Sequence, residues 1–175
     1  DLFPDMDREV MTKAAFELFE KKLPIESFVN NATKPDGTTL ILLTNGIPIF
    51  DDAGNLTGYR GIDVNITEQK KAEEELRKLS RAVEQSPVSI VITNLMGEIE
   101  YVNPKACETT GYTKEELLGN NPRLLQSGQT HFGEYVNLWN KISIGNEWHG
   151  LFHNKRKNGE YYWESSTIAP IFNDQ

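Results

Sequence analysis

Nucleophilic and metal-binding side chains are scarce in this chain of 175 residues, which has one cysteine and three histidines. The single cysteine, Cys107, excludes an internal disulfide and any metal site built from several thiolates. It lies in a stretch that predicts a helix, where a small buried side chain explains it better than redox chemistry. The sequence shows no nucleophile elbow, phosphate-binding glycine loop, histidine pair for a metal or kinase catalytic motif. We therefore expect a chain that is not an enzyme, with no catalytic residue and no metal site.

Histidines and carboxylates are the other groups that could do chemistry. His131 precedes a predicted helix, whereas His149 and His153 lie four residues apart on one side of a predicted strand. An axial heme ligand would have to face an internal pocket, and surface exposure explains all three histidines as well. Glu115 and Glu116 fall at the start of a predicted helix, where carboxylates stabilise the helix without acid–base catalysis.

Composition favours a globular fragment with no membrane or nucleic-acid contact. The chain is 38% hydrophobic and 25% charged, as soluble domains are. No apolar run approaches the ~18 residues of a membrane span, and the first residues lack a signal-peptide core. The net charge is −8, and the 18 basic residues are scattered rather than clustered as a nucleic-acid surface requires. We expect a cytoplasmic location, whether or not a longer parent is anchored to a membrane.

An internal repeat organises the sequence. Residues 34–52 match residues 156–174 without gaps, at a constant offset of 122. Both copies predict a hairpin whose polar turn contains glycine, Gly37 in one and Gly159 in the other, since glycine accepts a positive φ without steric cost. Each copy ends its second strand with proline, which lacks a donor for the sheet and favours an edge or a strand end. An offset of this size indicates one small domain per repeat.

A predicted helix between the copies, residues 67–84, carries an apolar stripe on an otherwise charged surface. The stripe consists of Ala72, Leu76, Leu79 and Val83. Its spacing is that of a coiled-coil seam and is too narrow for a globular core. We expect this helix to form a parallel homodimer with its copy in a second chain. The alternative is a solvated linker helix packed against its own domain.

Residues after this helix predict an α+β unit, with helices gathered on one face of an antiparallel sheet. Asn103-Pro104 is a strong helix start, and Thr113 with Glu116 forms a capping box. Strands are predicted at 88–93, 99–102, 148–152 and 161–172, and the longest helix of the unit at 131–142. The apolar side of that helix is expected to comprise Phe132, Tyr135, Val136, Leu138 and Trp139.

Three stretches carry a resemblance to a known family: Val-Ile-Thr-Asn-Leu-Met-Gly-Glu-Ile-Glu-Tyr-Val-Asn-Pro-Lys-Ala, Thr-Gly-Tyr-Thr-Lys-Glu-Glu-Leu-Leu-Gly and Asn-Lys-Arg-Lys-Asn-Gly-Glu. They resemble a bacterial-type PAS (sensory box) domain. Asn65-Ile66-Thr67 is similar to the Asp-Ile-Thr exit motif of that family, with asparagine in place of the usual aspartate. The resemblance implies a five-stranded antiparallel sheet with short helices on one face.

The positions of the two repeat copies along the chain imply two truncated PAS units joined by a helix. Residues 1–66 resemble the C-terminal part of a first PAS domain, with the end of its helical region and three strands. Residues 67–85 form the linker, and residues 86–175 resemble a second PAS domain without its last strand. Each half would then present an open sheet edge. We expect strands 38–64 of one chain to pair with the 88–102 hairpin, most simply in a second chain.

Three function classes are weighed: a sensory and dimerisation module, a cofactor-binding redox sensor, and an enzyme. The chain is expected to be a sensory module that detects a signal or small ligand and transmits it by dimerisation in two-component signal transduction, with a histidine kinase as output. Alternatives are an FAD-binding redox sensor, or a PAS module of a cyclic-dinucleotide protein. An enzyme is the third class, and activity assays with ATP or GTP would distinguish it.

The match to flavin-binding PAS domains depends first on three residues. Asn154 matches an asparagine that contacts flavin in light-oxygen-voltage PAS domains, but their reactive cysteine falls on Pro122 and their second flavin asparagine on Glu164. Proline has no nucleophile, so a cysteinyl–flavin adduct is excluded at this position.

A closer resemblance is to the FAD-binding PAS domain of nitrogen-fixation redox regulators, through Trp148, Gly150, Asn154 and residues 156–157. A tryptophan can stack on a ring system, and an amide can donate and accept at its edge. The other interpretation makes Trp148 a core residue and Asn154 a turn cap. The expected ligand site is a hollow core bounded by Trp148, Asn154 and Tyr162, with Glu164 beside it. We expect no resident cofactor, with FAD as the alternative.

Overall fold

The computed structural model describes residues 20–172. Contacts divide the chain into a first unit, residues 1–78, and a second unit, residues 79–175. This boundary falls inside the linker helix, so the last turn of that helix groups with the second unit. The end of the helical region expected for the first PAS domain lies largely in residues 1–19, outside the described part. No described helix is long and apolar enough to cross a membrane.

The first unit contains a three-stranded antiparallel sheet in the order β1-β2-β3. Its strands are β1 (Ile25–Thr33), β2 (Thr39–Phe50) and β3 (Leu56–Asn65). The strands β2 and β3 cross closely where Gly46 lies opposite Gly61. A Cβ at position 61 would stand 2.5 Å from the carbonyl oxygen of Asn45, so only glycine fits there.

The two copies of the sequence repeat form turns of the same geometry. In the first copy the Lys34 N–H donates to Thr38 O and the Gly37 N–H to Lys34 O, at 2.8 and 2.9 Å. The turn 156–160, at an offset of 122, makes the same two bonds at the same distances. Both glycines have positive φ, 84° for Gly37 and 92° for Gly159. The two predicted hairpins are therefore confirmed, with the same loop.

The linker helix, α1 (Thr67–Glu84), has the predicted bounds and is anchored to β2. Asn65 Oδ1 accepts from the N–H and the hydroxyl of Thr67, at 3.0 and 2.6 Å. The hydroxyl oxygen of Thr67 in turn accepts from the buried Ile41 N–H at 2.8 Å. Asparagine thus satisfies the start of α1 through its oxygen, in place of the aspartate usual in the family.

The second unit is α+β and contains two antiparallel hairpins. Its elements are β4 (Val91–Thr93), β5 (Ile99–Val102), α2 (Pro104–Thr110), α3 (Lys114–Leu117), a 3-10 helix (Pro122–Leu125), α4 (Phe132–Ile142), β6 (Trp148–Lys155) and β7 (Tyr161–Ile168). Helix α2 begins at its Asn103 cap and ends at Gly111, and the capping box at Thr113 is present, as predicted.

The strands do not form the expected five-stranded sheet. Within residues 20–172, β4 pairs with β5 and β6 pairs with β7, while β3 pairs with β2 alone. By the offset of 122, β7 is the counterpart of β2, and within the described residues no strand pairs with its second edge. The expected pairing of residues 38–64 with a 88–102 hairpin of another chain stays a prediction.

Two apolar clusters form the core of the second unit. The first contains Ile99, Val102, Ala106 and Leu117, and the second contains Leu138, Trp148 and Phe152. Helix α4 faces the second cluster with Tyr135, Leu138 and Ile142. The predicted apolar side of α4 was wrong in part, because Phe132, Val136 and Trp139 are 76%, 42% and 58% exposed.

We expect Thr67→Val to destabilise the first unit by about 1–3 kcal/mol, because it leaves the buried Ile41 N–H without its acceptor. Hydrogen exchange of the β2 amides measures this loss directly. Thr57→Val is the matched control, since it removes an exposed hydroxyl that donates to Ile49 O in the same sheet. Equal exchange in the two variants would contradict the anchoring role of Thr67.

Candidate functional site

The inward face of the β6–β7 hairpin combines an aromatic end with a polar end. Trp148, Phe152 and Asn154 are buried at alternate positions of β6, as a strand with one covered face requires. The cross-strand pairs are Phe152 with Glu164 and Asn154 with Tyr162. The register therefore brings three predicted site residues, Asn154, Tyr162 and Glu164, to one end of the hairpin.

Trp148 occupies the aromatic end and is fully buried. Its ring stacks on Phe152 with centroids 4.8 Å apart, and Phe152 stacks on Tyr135 at 5.6 Å. The indole lies over Gly150, where a Cβ would come within 2.1 Å of it, so Gly150 creates the space that the ring fills. The indole N–H has no hydrogen-bond partner within the described residues.

The polar end is a hydrogen-bonded cluster of side chains. Asn154, 6% exposed, donates through Nδ2 to Glu164 Oε2 at 2.8 Å. The guanidinium of Arg156 lies 4.6 Å from the centre of the Tyr162 ring. The buried hydroxyl of Tyr162 has no hydrogen-bond partner in the described part of the chain. An isolated bridge between Gln126 and Asn154 covers the outer edge of β6 at this point.

Burial perturbs both acidic groups of this cluster. Desolvation raises the pKa of the Glu164 carboxyl, against the opposing effects of the Asn154 amide and the Arg156 charge. Desolvation also raises the pKa of Tyr162 to about 12, and the nearby charge of Glu164 adds to it. Shifted titration at an inward-facing cluster is typical of functional sites.

Of the four predicted site residues, the structure groups three and places Trp148 with the apolar core. Trp148 packs against Leu138 as well as Phe152, as its interpretation as a core residue requires. The hollow core bounded by Trp148, Asn154 and Tyr162 stays a prediction. Sequence reasoning did not assign a role to Phe152 or to the stacking of Arg156, although Phe152 lies two residues before Asn154 on β6 and Arg156 directly follows that strand.

The histidines of the hairpin lie on its other face. His153 stacks against Tyr161 and Trp163, with ring centroids 5.4 and 4.6 Å away. His149 contacts Thr167 and Glu147 on the same exposed surface. Since side chains alternate along a strand, neither histidine projects to the side of Asn154 as an axial heme ligand would have to.

An open surface cavity of about 630 Å³ lies next to the hairpin turn, with Arg156, Lys157 and Glu108 in its wall. Its cations are paired with carboxylates, Arg156 with Glu160 and Lys157 with Glu116. A cavity whose charges are satisfied has little to offer an ionic ligand. The inward polar cluster is therefore the better candidate for recognition.

The family model of the PAS domain matches residues 1–68 and 87–175. This chain belongs to the PAS domain family. The sensory-box resemblance of the sequence is thereby confirmed, and so is the α+β PAS fold with its antiparallel strands and short helices.

Relatives of this PAS chain are regulatory and light-sensing proteins. A nitrogen fixation regulatory protein of Klebsiella oxytoca is 39% identical over 93 residues, 53% of this chain and 19% of that protein. A blue-light photoreceptor of Listeria innocua is 34% identical over 97 residues, 54% of this chain and 38% of the relative. The chain thus spans less than half the length of either relative.

A solved structure with the same fold is an RNA-binding light-oxygen-voltage receptor. The likeness covers 98% of this chain and 80% of that one, with a TM-score of 0.52 and 12% identity. At this identity the likeness shows the fold alone. In this chain the first residue of the 3-10 helix is Pro122, which has no thiol to form a flavin adduct.

We expect Glu164→Gln to change how the stability of the second unit depends on pH. A carboxyl whose pKa is raised on folding binds more protons when folded, so stability falls as pH rises from the ordinary value of 4.5 through the raised one. Glutamine keeps an acceptor for Asn154 and removes the charge, so this fall should disappear.

Tryptophan fluorescence during urea unfolding reports on the second unit alone, because Trp139, Trp148 and Trp163 all lie there. Glu100→Gln, at an exposed position of β5, is the matched control and should retain the pH dependence of the unchanged protein. Identical pH profiles for both variants would remove Glu164 as the buried titrating group.

Proposed function

We propose that the second unit binds a small molecule against the inward face of the β6–β7 hairpin, and that α1 transmits this event by dimerisation. The observation that carries the proposal is the polar cluster of Asn154, Tyr162 and Glu164 on a face otherwise devoted to apolar packing. The chain itself is proposed to be a sensory module and not an enzyme. We favour a two-component histidine kinase as the output of the parent protein, on family resemblance.

Unsatisfied groups support a ligand at the polar end. A buried hydroxyl without a partner costs free energy, because its hydrogen bonds to water are lost on folding. The hydroxyl of Tyr162 is such a group, and Asn154 and Glu164 beside it can both donate and accept, depending on the protonation of the carboxyl. A small molecule with a polar edge and an apolar body matches this face.

The surface of α1 supports dimerisation. Leu76 and Leu79 are 67% and 59% exposed, although each is a large apolar side chain on an otherwise charged helix. Ion pairs between residues three apart occupy the rest of its surface, for example Lys71 with Glu68. A narrow apolar seam of this kind is best buried against a copy of itself.

We expect the double variant Leu76→Asp/Leu79→Asp to be monomeric in sedimentation equilibrium at concentrations where the unchanged protein is dimeric. Two carboxylates in the seam repel their copies across a parallel pair of helices and bury no apolar surface. Lys78→Asp/Ser80→Asp is the matched control, because both positions are exposed on the same helix but lie outside the stripe. An unchanged mass for the seam variant would show that the interface lies elsewhere.

A second candidate function is an FAD-based redox sensor. It is favoured by the inward, 6% exposed amide of Asn154 and by the similarity to the nitrogen fixation regulatory protein. Asn154 and Glu164 would hold the polar edge of the ring system, with Trp148 shielding its apolar part. Bound flavin would supply reversible electron transfer, which the side chains of this site do not provide.

The absorption spectrum of the purified protein separates these candidates. We expect no flavin band, because the indole of Trp148 fills the space beside Phe152. A stoichiometric flavin band would overturn this expectation and support the FAD sensor. In that case Asn154→Leu should abolish the band, whereas Lys155→Leu, at an exposed position of the same strand, should preserve it.

A further inference from the structure

One buried amide binds four backbone groups in three segments of the second unit. Asn103 is completely buried between β5 and α2. Its Oδ1 accepts from Ile90 N at 2.9 Å and from Ala106 N at 3.0 Å. Its Nδ2 donates to Val88 O at 2.9 Å and to Val83 O, in the last turn of α1, at 3.2 Å. Every hydrogen-bonding position of this side chain is therefore used.

The contact with α1 is more than a helix cap. Capping α2 requires only the Oδ1 acceptor, which the Ala106 N–H satisfies. The Nδ2 donor instead adds a second hydrogen bond to the Val83 carbonyl in the last turn of α1, which also accepts from the Ser86 N–H at 3.2 Å. A second bond reinforces it, since the hydroxyl of Tyr101 donates to Glu84 Oε1 at 2.9 Å. The end of α1 is thus fixed to the strand and the helix that flank Asn103.

Helix α2 continues from Asn103 to the candidate site. Its seven residues place Thr110 at the far end, 3% exposed, with its hydroxyl donating to Ala106 O at 2.8 Å. The carbonyl of Thr110 accepts from the Lys157 N–H at 3.0 Å, in the turn of the β6–β7 hairpin. Arg156, the preceding residue, stacks on Tyr162 beside Glu164.

We propose that Asn103 is a positioning residue that couples the last turn of α1 to the polar cluster of the β6–β7 hairpin, through α2. A change at Glu164 then alters the local stability of residues 81–86. A displacement of α1 likewise alters the polar cluster, because coupling between two sites is reciprocal. The inference rests on the proposed sensory role of that cluster. It gives the role a physical route made of hydrogen bonds and the stacking of Arg156 on Tyr162.

A double-mutant cycle tests the route without knowledge of the ligand. The first variant, Glu164→Gln, alters the site. The second, Asn103→Ser, keeps a hydroxyl as the cap of α2 but is too short to reach Val83 O. The measurement is hydrogen exchange of residues 81–86. We expect Asn103→Ser alone to accelerate this exchange roughly tenfold, the effect of two lost hydrogen bonds. Ser89→Ala, which removes the Ser89–Thr109 bond near α2 without touching α1, should leave it unchanged.

The coupling itself is what a purely structural role would not produce. In the unchanged protein, Glu164→Gln should shift the exchange of residues 81–86 by at least about twofold. In the Asn103→Ser background this shift should vanish. No response to Glu164→Gln in the unchanged protein overturns the proposal, and so does a response that persists in Asn103→Ser.

Two further variants keep the experiment decisive. If circular dichroism shows that Asn103→Ser does not fold, Asn103→Thr takes its place, because its hydroxyl also caps α2, its methyl group fills more of the buried space, and it is too short to reach Val83 O. The same cycle is repeated in Leu76→Asp/Leu79→Asp. If the coupling persists in this monomeric background, the inference is supported even though dimerisation is lost. If the unchanged protein is dimeric but shows no coupling, the inference is refuted and the proposed dimer is unaffected.

Discussion

The turn between β6 and β7 is the constraint on which the candidate site depends. Its two backbone hydrogen bonds and the positive φ of Gly159 fix which residue of β7 lies opposite each residue of β6. Side chains alternate between the faces of a strand, so a slip of one residue would turn every inward side chain outward. Asn154 would then lie on the exposed face, where His153 now contacts Tyr161 and Trp163, and it could no longer donate to Glu164.

The site that this register creates is locally unfavourable and must be held by packing around it. Burying a carboxyl and a phenol with few partners costs free energy, which the Asn154 bond and the charge of Arg156 offset only in part. The other end of the same hairpin compensates, since complete burial of a large aromatic side chain contributes about 1.5–3 kcal/mol. Trp148 and Phe152 therefore stabilise the hairpin that carries the buried polar groups, a division typical of functional sites.

Local signals in the sequence predicted most of the framework. Glycine turns, the Asn103-Pro104 start and the capping box at Thr113 each act within about five residues, and each formed as expected. Contacts between elements were harder to predict. The prediction of which α4 residues are buried was wrong in part, because an apolar stripe does not determine which of its residues packs against Trp148. The stacking of Arg156 on Tyr162 depends on the twist and register of two strands, which no motif encodes.

The two asparagines that flank α1 show why similar residues at helix boundaries are not equivalent. The bonds of Asn65 to Thr67 both use its side-chain oxygen, so the aspartate usual in the family can make them equally well. Asn103 uses its nitrogen as well, to reach Val83 O and Val88 O, and a carboxylate would set negative charge against two carbonyl oxygens in a buried space. An amide is the side chain that can cap α2 and hold the preceding helix at once. The start of α1 therefore uses only an acceptor, whereas its end is bound by the donor of a side chain whose acceptor caps α2.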